Sequence, residues 1–193
     1  MKKIILTTAA IAVSASSSAL AIENDFFVKV NAGYSKMSKV KSAKAKNDMF
    51  FGIGAGYYVM DNVRADLTFD HFVNPTFKKD GKKIKGEVNT LLLNGFIDLF
   101  DISLAKVFVG AGVGGSQVKA KVTGDAVAAN NGTAKQKYNL AYAAYLGSSV
   151  EFAPGMTGEI TYSYRAMGKT KEVNKADYDF KGHNVGAGVR FDL

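Results

Sequence analysis

The 193-residue chain has no cysteine and no tryptophan, and only 2 prolines and 2 histidines. Without cysteine, a disulfide framework and every thiolate metal site are excluded. Beyond residue 21 no apolar run approaches the roughly 20 residues that a membrane-crossing helix needs, and no stretch reads as a helix of any kind. If this chain crosses a membrane, it does so with strands. Motifs for catalysis and cofactors are equally sparse. Gly110-Ala111-Gly112-Val113-Gly114-Gly115 has the glycine density of a phosphate-binding loop, but it lacks the helix such a loop must open and it fits strand parity instead. A hydrolytic triad would have to use His71 or His183; Ser103 and Ser149 are badly placed for it, while Ser35, Ser116 and Ser163 stay open. No enzyme, cofactor or metal is expected.

The N-terminus is informative for what it does contain. Met1-Lys2-Lys3 is a basic start, Ile4 to Val13 an apolar run, and Ala19-Leu20-Ala21 a small-x-small cleavage pattern. Residues 1–21 therefore read as a secretory signal peptide and residues 22–193 as the mature domain. Removing Lys2 and Lys3 leaves 23 Lys plus Arg against 17 Asp plus Glu, a net charge of +6. Export makes nucleic acid an unlikely partner for that charge, and the lysines are not interleaved with aromatics as a single-strand binder requires.

From Phe26 onward apolar and polar residues alternate with period two, which marks strands with one apolar face. Phe26, Val28, Val30, Ala32 and Tyr34 alternate with Lys29, Asn31 and Gly33. Phe51, Ile53, Ala55, Tyr57 and Val59 alternate with glycines. Val63, Ala65, Leu67 and Phe69 oppose Arg64, Asp66, Thr68 and Asp70. Five further stretches repeat the pattern, around Leu93, Val109, Leu146, Ile160 and Val189. Connections after even-numbered strands are tight: Met60 to Asn62, Phe100 to Ser103, and Ala153 to Gly155. Those after odd-numbered strands are long: Lys36 to Asn47, Val73 to Gly86, Ser116 to Lys135, and Met167 to Asp177. Short turns on one rim and long loops on the other predict an all-β fold, an eight-stranded antiparallel up-and-down transmembrane β-barrel in the outer membrane of a Gram-negative bacterium.

A soluble barrel of the lipocalin type would alternate too, so the orientation of the faces has to be argued separately. The polar face is rich in glycine, which weakens a strand on a wet surface but makes room inside a narrow barrel. All three arginines, Arg64, Arg165 and Arg190, share polar parity, and an Arg facing lipid at mid-membrane costs about 2–4 kcal/mol. Aromatics sit near strand ends on the apolar face, as interfacial girdles do. Polar-inside follows. Eight strands leave a lumen just wide enough for side chains, and buried charges must pair. The expectation is a filled lumen with an ion-pair network of Lys29, Arg64, Asp66, Glu159, Arg165 and Arg190, Glu159 touching at least one arginine.

Of the 23 basic residues after the signal, 18 lie in or beside the long loops, and all are lysine. They are Lys36, Lys39, Lys41, Lys44 and Lys46 in the first; Lys78, Lys79, Lys82, Lys83 and Lys85 in the second; Lys119, Lys121, Lys135 and Lys137 in the third; and Lys169, Lys171, Lys175 and Lys181 in the fourth. Such a surface can meet the phosphates of outer-membrane lipid and lipopolysaccharide, or acidic host surface or serum proteins.

Several segments resemble the opacity-type outer-membrane porin family. They are Gly56-Tyr57-Tyr58-Val59 with Val63-Arg64-Ala65-Asp66-Leu67, then Leu91 to Asp98, Val107 to Gly114, and His183 to Phe191. Within that family the likeness is to the rickettsial surface-antigen adhesins. The resemblance implies a barrel displayed on an intracellular bacterium, with relatives that adhere to host surfaces and bind serum glycoproteins such as vitronectin. The C-terminal Gly188, Phe191 and Leu193 resemble the signal read by the barrel-insertion machinery. The expected function is a surface adhesin working through its lysine loops; the alternative is a small porin or structural envelope barrel with no dedicated ligand.

Overall fold

The computed structural model describes residues 26–37, 44–45, 48–73, 76–79, 82–123, 137–173 and 176–193. Toward the outer strand ends (82–86, 119–123, 169–173 and 176–180 among them) it describes backbone alone. All regular structure among these residues is strand: β1 Phe26–Met37, β2 Lys44–Ala45, β3 Asp48–Met60, β4 Val63–Val73, β5 Thr76–Lys79, β6 Lys82–Ile102, β7 Ala105–Thr123, β8 Lys137–Ala153, β9 Met156–Val173 and β10 Ala176–Asp192. Eight of these close into an antiparallel barrel, while β5 and then β2 add to the outer end of β6. The ring closes between first and last strands, from Phe27 opposite Asp192 to Met37 opposite Gly182, and the Leu193 N–H donates to the Phe26 carbonyl at 2.9 Å.

The register sets the barrel's dimensions. Starting at Gln117 and stepping to each successive partner through Asn89, His71, Phe51, Ala32, Ala187, Ile160 and Ser148, the path returns to β7 at Val107, ten residues away. That stagger over eight strands, at about 3.3 Å per residue and about 4.8 Å between strands, gives a tilt near ~40° and a backbone radius of about 8 Å. Each residue then climbs about 2.5 Å along the axis. The 11 residues of β4 span about 25 Å, the height of a membrane-barrel apolar band. The 21 residues of β6 span about 50 Å, so half of that strand projects beyond the band.

Strand extension corrects the expected loops. The predicted loop from Val73 to Gly86 contains β5 and the first turns of β6, the one beginning at Ser116 is strand through Thr123, and the one from Met167 is strand through Val173. β-Branched and lysine-rich sequence can continue a ladder above the membrane, and period two does not tell where hydrocarbon ends. At the other rim the tight turns fall at Asp61-Asn62, Ser103-Leu104 and Pro154-Gly155. The second lies at the far end of the expected Phe100 to Ser103 stretch, because a bulge at Asp98/Phe100 lets the β6–β7 ladder run to Ile102 opposite Ala105.

The barrel is inside out relative to a water-soluble protein. Leu93 and Ile160 are 59% and 66% exposed on the outer face, whereas Arg64 and Arg165 are each 3% exposed within. Inward glycines take the bulk of neighbours: a Cβ on Gly110 would collide with the Phe96 ring, and one on Gly147 with Phe108. The room left by glycine is thus filled chiefly by aromatic rings, not only by charged chains.

Candidate functional site

Three layers fill the lumen. At the short-turn end a mouth of about 670 Å³ is lined by Tyr58, Asp98, Lys106, Glu151, Arg190 and Asp192. Above it lies the ionic layer. The Arg64 guanidinium donates to Asp98 at 2.5 Å and to Glu159 at 3.3 Å, and Arg190 bonds the same Glu159 carboxylate. Lys29 donates to Asp66 at 2.5 Å, and Asp66 also accepts from Thr68 at 2.8 Å and Asn94 at 2.7 Å. The guanidinium of Arg64 lies 4.8 Å from the Phe96 ring and 4.5 Å from Phe108, and such stacking on desolvated rings adds about 1–2 kcal/mol each.

Higher still, Arg165 donates to Asp70 at 2.6 Å between the rings of Phe50, Phe72 and Tyr145. The outer end is closed by an apolar layer. Phe72, Val88 and Val118 stand opposite one another in register, and all are buried, as are Ala141 and Met167. Met167 is brought there by the backbone: β9 leaves β8 beyond the Tyr142–Ala166 pair, and Gly168 turns with φ +84. The Ser116 hydroxyl then donates to the Met167 carbonyl at 2.5 Å. A cavity of about 40 Å³ remains beside Lys29, Asn94, Glu159 and Arg165, room for a water or two but for no solute.

Lys29, Arg64, Asp66, Glu159, Arg165 and Arg190 all point inward, but they form separate clusters, with Arg165 a layer above the rest. Lys106, which shares the polar parity of its strand, is exposed at the mouth. Two partners were not picked out from sequence: Asp70, opposite Gly52 in the ladder, and the cap residue Met167. Asp70 has the same parity as Arg64 and Asp66, which was its available signal; Met167 had none, because its inward turn depends on Gly168.

The serines and histidines lie on opposite sides of the wall. Ser35, Ser116 and Ser163 are buried inside, whereas His71 bonds Asn89 at 2.6 Å and His183 bonds Tyr162 at 2.6 Å on the outer face. These serine and histidine side chains lie on opposite faces of the sheet, so the pairs do not meet.

Of the loop lysines, Lys36 falls inside β1. Lys39, Lys41, Lys46, Lys135 and Lys175 lie outside the described residues. Lys44, Lys78, Lys79, Lys82, Lys83, Lys85, Lys119, Lys121, Lys137, Lys169 and Lys171 fall on described backbone. There the ladder sets lysine directly against lysine: Lys44 with Lys78, Lys78 with Lys83, Lys79 with Lys82, and Lys85 with Lys121. Like charges directly opposite destabilise a strand pair.

A family model described as the outer membrane protein beta-barrel domain matches residues 5–191. The chain belongs to the outer-membrane β-barrel family. This barrel is also 39% identical to a proposed adhesin of Rickettsia conorii, over 92% of this chain and 86% of that protein. It is 31% identical to one of Rickettsia felis over the whole of both. Among solved structures, Neisserial surface protein A aligns with a TM-score of 0.67 at 16% identity, covering 87% of this chain and 97% of the other. Ail, the attachment invasion locus protein of Yersinia pestis, aligns at 0.52 and 13% identity, covering 88% and 100%. Ail is also known in complex with the heparin analogue sucrose octasulfate. These likenesses show the fold. The outer-membrane barrel therefore stands in the Gram-negative outer membrane, with its apolar face in lipid and its short turns toward the periplasm.

Proposed function

We propose that the outer-membrane barrel is a non-enzymatic surface adhesin, carried to the membrane by residues 1–21 as a cleaved export signal. Its contact surface is the lysine-rich external rim, and its partners are polyanionic: acidic glycans or proteins of a host surface. The observation that carries this reading is the lysine-on-lysine register of the strands projecting past the apolar band. Repulsion between paired lysines is relieved when a polyanion docks across them, so the arrangement trades stability for binding. The proposed adhesins among its relatives and the sulfated sugar analogue bound by Ail support it.

The test replaces Lys78, Lys79, Lys82, Lys83 and Lys85 together with Gln and measures heparin binding by the refolded barrel. At about 0.2–1 kcal/mol for each exposed pair, affinity is expected to fall about tenfold or more. Raising salt should weaken the parent protein in the same direction. Folding stability should stay level or rise, since repulsion is removed. Unchanged heparin binding would take the second loop out of the account.

The lumen acts as a plug in this reading, and the C-terminal strand serves the insertion machinery. Planar-bilayer recordings of the purified barrel are expected to be silent. Steady open steps would replace the plug by a small porin.

A further inference from the structure

The outer face carries a second feature, on the seam where β1 meets β10. Lys36 and His183 are register partners at the external end of that seam, and Tyr164 is the partner of His183 on the far side. The imidazole lies between two tyrosines, with ring centroids 6.0 Å from Tyr162 and 5.2 Å from Tyr164. The Tyr162 hydroxyl meets its Nδ1 at 2.6 Å. In the tautomer whose Nδ1 accepts from the Tyr162 hydroxyl, Nε2 carries the proton and is a donor. Among the residues of β1, β3, β9 and β10 whose side chains are described, the outward positions hold no Asp or Glu. The exposed Lys36 stands at the external end of this lipid-facing seam.

The same seam is hollow below. Val30, Ala32, Phe51, Ala187 and Val189 line an open groove of about 460 Å³ on the outer face. Its floor is low because Ala32 and Ala187 face each other across the seam while the larger residues form the sides. Lys36 and His183 each stand four residues beyond these alanines, about 10 Å higher along the axis. Lys36 and His183 thus stand above a shallow apolar groove, on its external side.

The rest of the external rim differs. On the opposite wall His71, Asn89, Gln117 and Tyr138 are successive register partners joined by contacts of 2.6, 3.5 and 3.0 Å. Those polar groups satisfy one another.

We propose that this seam is a binding site for an outer-leaflet lipid with a phosphate headgroup, the phosphate held by Lys36 and the His183 Nε2–H, and one acyl chain lying in the groove. A second copy of the chain fits less well, because a two-fold pairing on this face would bring two Lys36 side chains together without an anion between them. The site rests on the outer-membrane placement and is independent of the loop-mediated adhesion.

Native mass spectrometry of the full chain, refolded in neutral detergent and titrated with phosphatidic acid or with diacylglycerol of the same chains, tests it. One phosphatidic acid should be retained per barrel, about tenfold or more tighter than diacylglycerol, the worth of one charge-assisted hydrogen bond. The Lys36→Gln/His183→Gln variant should lower phosphatidic acid to the diacylglycerol level. Ala187→Leu, which fills the groove, should weaken both lipids. Heat-shift gels confirm that each variant is a closed barrel, and Lys36→Gln alone serves if the double variant fails to close. Equal retention of the two lipids, indifference to the variants, displacement by millimolar inorganic phosphate, or a dimer forming in place of the lipid adduct would each overturn the site. Loss of heparin binding in the loop-two variant with lipid retention intact would show that the two surfaces are separate.

Discussion

Replacing Asp70 with Ala is expected to lower the folding free energy by about 3–5 kcal/mol, the largest effect of any single substitution considered for this barrel. Asp70 is 0% exposed and Arg165 is 3% exposed, and they are joined at 2.6 Å inside the lumen. The rings of Phe50, Phe72 and Tyr145 surround the guanidinium, the apolar layer of Val88, Val118 and Met167 lies above, and the small cavity beside Arg165 holds at most a water or two, which supplies no negative charge. An arginine does not escape by deprotonating, so the charge stays and its desolvation is uncompensated. The check is a urea titration of folding in lipid vesicles, comparing Asp70→Ala with Asp70→Ala/Arg165→Met. Removing both charges should recover most of the loss, since a buried ion pair can be exchanged for apolar packing at little net cost. A double variant as unstable as the single one would mean that Arg165 contributes through packing and not as a charge awaiting its partner.

Leu67→Arg should cost about 2–4 kcal/mol in the same vesicles, while Met49→Arg should cost about 0–1 kcal/mol. Both residues face outward, 50% and 43% exposed, and differ in depth. Leu67 is near the middle of the 11-residue β4, about 10 Å or more from either end of a span of about 25 Å, and Met49 lies at the external end of β3. A cation at mid-membrane must thin the bilayer or drag water inward; at the rim its ammonium or guanidinium reaches headgroups. Were the outer face wet, both substitutions would fall within about 0.5 kcal/mol of neutral. Equal, small costs at both depths would therefore reject lipid contact on this face.

The strands were legible because period two is a local property. Each residue's parity follows from its own backbone, so the outward set of Val30, Ile53, Leu93 and Ile160 and the inward set of Arg64, Glu159 and Arg190 could be read without knowing any pairing. Glycine at inward positions was legible for the same reason, though what occupies the space was not: the Phe96 ring over Gly110 belongs to a different strand.

What the sequence by itself determined is therefore the number of barrel strands, which face is apolar, and most of the charges that lie in the lumen, Asp70 excepted. Which charge meets which was decided only by the tertiary structure. Arg165 and Asp70 are 95 residues apart, and their meeting depends on the stagger accumulated round all eight strands, to which each ladder adds and which no single segment encodes. The same holds for strand length, since β6 continues past the apolar band because β5 and β7 are there to pair with it. It holds again for the closed outer mouth, where β9 is free to turn inward at Gly168 only after it has parted from β8. Parity is a property of one residue's geometry, whereas stagger, extension and closure are sums over neighbours that exist only once the ring has closed.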